Sequence, residues 1–178
     1  MTVVRAFRLD EDVDGALKKI SEEEGESVNV VVNRTLRKFV EWDRPAGKLG
    51  MMQISRQELV KMMDSQTPEQ AREQGVWVGA EVFEPFVRYL KPDLDFASVI
   101  GALDMLSRYS GRFELTHSVA GRKHLVVIRH SMGANWSAFY EGAGSTVLGD
   151  LLKLDCKSSS TDELCSFEFE LEAGRSEG

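Results

Sequence analysis

Three histidines and two cysteines hold the metal- and redox-capable chemistry of this chain. His117 and His124 sit on the two arms of an expected hairpin, and imidazole suits zinc, nickel and copper. With Ala120-Gly121 as a two-residue turn, Phe113 faces Ile128, Leu115 faces Val126 and His117 faces His124. A one-residue slip would set Phe113 against Arg129, which the apolar pattern disfavours. His130 lies six residues past His124, roughly 20 Å along an extended strand, too far to join one mononuclear site. The pair His117 and His124 is therefore a candidate metal site or, as the plainer reading, neutral sheet packing that titrates with pH. Cys156 and Cys165 fall on opposite arms of a second expected hairpin. They read as a redox pair, a thiolate site or two small hydrophobes. Arg112, Lys123 and Arg129 fall in one row on the other sheet face, a candidate anion site or a solvated charged face. No HExxH, no framed nucleophile and no glycine-rich loop after a strand is present. Neither an enzyme nor a bound cofactor is expected.

These side chains need a scaffold, and the C-terminal pattern supplies one. Phe96 to Tyr109 carries Phe96, Val99, Ile100, Leu103 and Leu106 at helical spacing, and Gly111 ends it. Strands are expected over 112–119 and 123–132. A second helix runs from Asn135 to about Lys153 with Trp136, Phe139, Tyr140, Ala143, Val147 and Leu151 on one stripe. Its glycines suggest close backbone packing. A last hairpin spans 154–158 and 163–172. The order helix–hairpin–helix–hairpin predicts an α+β unit over 93–174, an antiparallel sheet with helices on one face.

Residues 45–92 read as linker and helices. Pro45, Gly47 and Gly50 mark the linker. Ser55 with Glu58, and Thr67 with Gln70, are capping boxes that open helices. The second should stop at Gly75, and a further helix over 80–90 should bend or break near Pro85.

With 178 residues, 42% of them apolar, the chain can bury a real core. No apolar run is long enough to cross a membrane, and the start lacks an apolar signal segment, so a cytoplasmic protein is expected. Two cysteines fall short of a disulfide framework. The formal net charge of −7 argues against a nonspecific nucleic-acid coat.

The first 44 residues read as a strand over 2–9, a helix from Asp10 to Glu24 stopped by Gly25, and a helix capped by Ser27. The buried stripe of that second helix is Val28, Val31, Val32, Thr35, Leu36, Phe39 and Val40. The stretch VVRAFRLDEDVDGALKKISEEEGESVNVVVNRTLRKFVEW resembles the ribbon-helix-helix family of DNA-binding proteins. That resemblance implies a homodimer, or a tetramer of two dimers, acting as a transcriptional regulator on double-stranded DNA. Its two-stranded ribbon would enter the major groove. It implies groove-facing Thr2, Val4, Ala6 and Arg8, with Arg5 near a phosphate. The helix start at Ser27, Val28 and Asn29 would hold another phosphate. The segment HSMGANWSAFY further resembles uncharacterised prokaryotic domains. Two alternatives stand beside this: an interaction protein whose N-terminal unit only dimerises, and a metal- or redox-responsive sensor.

Overall fold

A computed structural model describes residues 3–171 and divides the chain into two compact units, Met1–Met51 and Met52–Gly178.

The N-terminal unit is a helical hairpin. Helix α1 spans Glu11–Glu24 and stops at Gly25, which takes the left-handed conformation (φ 66°) that a glycine tolerates. Helix α2 spans Val28–Lys38, with the Ser27 hydroxyl accepting from the Val30 amide. It runs on through a π-helical turn, Phe39–Asp43, into a short helix at Arg44–Lys48. The expected linker therefore begins later than the sequence suggests. Pro45 cannot donate and crowds the preceding turn. The wider π turn just before it absorbs that misfit, and the helix survives.

The expected opening strand is not there. Residues 3–10 form neither strand nor helix and are exposed, so Val4, Arg5, Ala6 and Arg8 pair with no strand among the described residues. Thr2 lies outside them. A strand without a ladder partner leaves its amides to water. The ribbon on which the family resemblance rested is missing, and with it the DNA-reading role.

The C-terminal unit follows the expected order more closely. Helix α3 (Arg56–Asp64) and helix α4 (Pro68–Val78) both open with complete capping boxes, Ser55 with Glu58 and Thr67 with Gln70. Helix α4 does not end at Gly75. It continues through a π-helical turn, Gly79–Phe83, into Glu84–Leu90. Pro85 again comes two residues after the π turn, as Pro45 does. Helix α5 spans Phe96–Ser110, capped by the Asp95 carboxylate and closed by Gly111 in the left-handed region. Strands β1 (Glu114–Ala120) and β2 (Lys123–Arg129) precede helix α6 (Ala134–Gly144), which continues through a third π-helical stretch, Ser145–Leu151. Strands β3 (Lys157–Ser160) and β4 (Leu164–Glu170) complete an antiparallel sheet in the order β1-β2-β4-β3. The expectation that the last strand reaches Glu172 falls partly outside the described residues.

The sheet is two-faced. Val126, Ile128, Cys165, Phe167 and Phe169 are buried, whereas Leu125, Arg129, Glu168 and Glu170 on alternate positions are exposed. The α+β class and the helix–hairpin–helix–hairpin order thus hold.

The register of the first hairpin is two residues from the expected one. Leu115 faces Ile128, His117 faces Val126 and Val119 faces His124. The turn is Gly121-Arg122, with Gly121 at φ 64°. A shift of two leaves every side chain on its expected face, so the apolar pattern could not detect it.

A candidate ligand cavity in the C-terminal unit

Glycine decides how α4 meets α6. A Cβ at Gly75 would overlap the carbonyl of Phe139, and one at Gly142 would overlap the carbonyl of Arg72. Each helix thus rests its backbone against the other's glycine. Arg72 of α4 also pairs with Glu141 of α6. Asn135 donates to the carbonyls of Met63 (3.1 Å) and Gln66 (2.9 Å), pinning the start of α6 to the α3–α4 turn.

Contact continues past this crossing, where Gly79 meets the Ala143 carbonyl and the Thr146 side chain. Gly144 approaches the Phe167 ring so closely that a Cβ would overlap it. Between the helices and the sheet lies a cavity of about 90 Å³. Its walls come from Val78 and Phe83 at the α4 end, Leu103 and Leu106 of α5, the inward strand residues Val126, Ile128 and Phe167, and Val147 and Leu148 of the last π-helical stretch. Two of the three π-helical stretches thus border it, in keeping with their frequent place at functional sites.

Two polar side chains join this apolar lining, Tyr140 and Arg112. Tyr140 is 7% exposed, and its hydroxyl has no hydrogen-bond partner among the described residues. Burial pushes its pKa far up, so it stays a neutral donor at any physiological pH. Edge-on contacts with Phe113 (5.6 Å) and Phe139 (5.3 Å) fix its ring. Arg112 is half-buried just before β1 and pairs with no carboxylate among the described residues.

The histidines fall into two separate arrangements. His117 and His124 are diagonal rather than directly opposed, yet their rings stack at 5.2 Å and His117 Nε2 lies 3.0 Å from His124 Nδ1. One ring must donate to the other. Phe96 packs edge-on against both rings, at 5.4 Å each. Burial first, and the neighbouring His124 second, lower the His117 pKa. His130 is 1% exposed and satisfied at both nitrogens. Nδ1 accepts from the Met132 amide (3.1 Å), and Nε2 meets the Ser137 hydroxyl (2.9 Å), which itself donates to the Thr161 carbonyl. Burial lowers its pKa to about 4, with the charge of Arg56 adding to the effect. No cluster of three or more His, Cys, Asp or Glu suited to a metal forms among the described residues.

The cysteines are not opposite each other. Ser160 faces Cys165 across β3 and β4, and Cys156 precedes β3. Burial raises both thiols, Cys156 to about 11 and Cys165 to about 12. That makes them poor nucleophiles and poor redox partners. The expected basic row also dissolves. Arg129 faces Glu114, Lys123 faces Ala120 and Glu170, and Arg112 lies outside β1 altogether. Of the remaining residues assigned to DNA, Ser27 serves as a helix cap, Val28 is half-buried and Asn29 accepts from the Asn33 side chain.

Sequence reasoning placed Tyr140 on the core stripe of α6 and missed its role at the cavity. The one signal was a phenol among apolar neighbours, since a buried Tyr normally carries its hydroxyl to a partner.

No protein-family model matches the chain, and no curated protein matches it. Among solved structures it is similar to a doubly substituted Tt H-NOX, at 13% identity over 97% of this chain and 78% of that one, with a TM-score of 0.36. A likeness at that level leaves the function to be argued from this chain's own residues.

Proposed function

We propose that the chain is a ligand-binding sensor. Its C-terminal unit holds a small apolar molecule, and its N-terminal unit joins two copies. The observation that carries this reading is the cavity beside a buried, unpartnered phenol. An unsatisfied buried hydroxyl costs on the order of 1–3 kcal/mol, and folded chains rarely carry one without cause.

The cavity's volume of about 90 Å³ does not suit a metalloporphyrin, since even drug-sized ligands need roughly 300 Å³ or more. The paired-thiol redox reading loses support from the raised pKa values of Cys156 and Cys165.

The dimer half of the proposal rests on the N-terminal unit. Among its large apolar side chains, Phe7 is 68% exposed, Phe39 53% and Val40 62%, and Val3, Val4 and Leu9 are likewise open. Val13, Ile20, Val30 and Leu36 are exposed as well, an apolar excess that a second copy could cover. The second copy is a partner of matching chemistry, since this surface is apolar and rimmed by both charge signs.

The test is thermal unfolding of the full chain with 1-pentanol, a neutral apolar probe bearing one acceptor. A saturable rise in Tm that disappears in Leu103→Phe, which fills the space, supports the reading. No rise, or an equal rise in Leu103→Phe, removes it.

A further inference from the structure

Arg112 gives the cavity a chemical preference that the apolar lining alone does not. It is the one cation along the wall, half-buried and without a carboxylate partner among the described residues. Its planar fork matches a carboxylate in two parallel hydrogen bonds. Among the described residues, no Asp or Glu lines the cavity. A cation with no carboxylate beside it is the complement of an anion. The rest of the lining is the complement of a hydrocarbon.

Resting on the sensor reading above, we propose that the cavity's ligand is a short-chain carboxylate, its head group paired with Arg112 and its tail among the apolar side chains. The cavity size sets the tail. A void of 150 Å³ accommodates benzene, so about 90 Å³ suits a tail of about four carbons. No covalent step is involved. The ligand binds ionised, the phenol stays protonated, and nothing is transferred. The surface patch of Lys and Arg expected from sequence plays no part, because Arg129 and Lys123 lie on or beside acids elsewhere on the sheet.

The experiment compares pentanoate with 1-pentanol on the full-length protein by titration calorimetry at pH 7. The variants are Arg112→Gln and Arg112→Lys, each first checked for native near-UV circular dichroism. The proposal expects pentanoate to bind at least ten-fold tighter than 1-pentanol. Arg112→Gln should lose at least ten-fold for pentanoate and leave 1-pentanol unchanged, and Arg112→Lys should recover part of the loss. Equal binding of the two probes, or pentanoate binding indifferent to Arg112→Gln, overturns the carboxylate assignment and leaves the sensor reading standing. Binding of neither probe overturns both.

Discussion

Tyr140 is costly as a structural residue and useful as a binding one. Its hydroxyl is buried without a partner, so Tyr140→Phe removes a desolvated donor and costs almost no packing. The ligand-free variant should gain about 1 kcal/mol, read as a raised denaturation midpoint, while binding of any ligand with an oxygen acceptor weakens. A destabilised variant would show that the hydroxyl has a partner after all. His130 makes the opposite case, a polar group fully used by the fold. The unfolded chain takes up a proton near pH 6.5 and the folded chain only near 4. Between those values the unfolded state binds more protons, so stability is full above pH 6.5 and falls as pH drops toward 4. The loss amounts to roughly 3 kcal/mol over that window. Denaturant titrations at pH 7 and pH 4.5 check it, and His130→Gln should flatten the slope.

At the scale of elements, the α4–α6 crossing brings two backbones together at Gly75 and Gly142. Gly75→Ala or Gly142→Ala must push the helices apart, at a cost of about 1–3 kcal/mol or more. Gly149→Ala meets open space and should cost little, which makes it the control. The glycines also show how legible this fold was. Helix starts were readable because Ser55, Thr67 and Ser27 cap through local hydrogen bonds a sequence displays directly. The three glycines Gly142, Gly144 and Gly149 suggest close backbone packing along α6; Gly142 meets the Arg72 backbone, Gly144 meets the Phe167 ring instead, and Gly149 meets open space. Gly75 was misread as a stop, since a glycine that makes room for another helix looks locally like one that ends its own. Pro45 reads as linker and Pro85 as a bend or break, yet the helix continues past both through a π turn that the sequence does not display. The hairpin register slipped by two for a different reason: a period-two pattern cannot sense an even shift. The cavity itself was illegible. Tyr140, Arg112 and Phe167 come from α6, the approach to β1 and β4, and only the sheet order β1-β2-β4-β3 brings them together.

For the whole molecule, the proposed tasks fall to separate units. The N-terminal hairpin buries only Val31, Trp42 and Ala46 of its own apolar residues and exposes many more. Sedimentation should therefore give a dimer, and Phe39→Glu with Val40→Glu should give a folded monomer with cavity binding intact. A wild-type monomer at micromolar concentration would remove the self-association half. The central claim is that the space among Val126, Ile128, Phe167 and Val147 is a binding site. Methyl NMR of the full chain during a pentanol titration addresses it most directly. The account expects saturable shifts concentrated on Ile128, Val126, Leu148 and Val147, with the exposed Leu125 on the far sheet face unmoved. Shifts spread evenly over the surface, or confined to residues around His117 and His124, would contradict it.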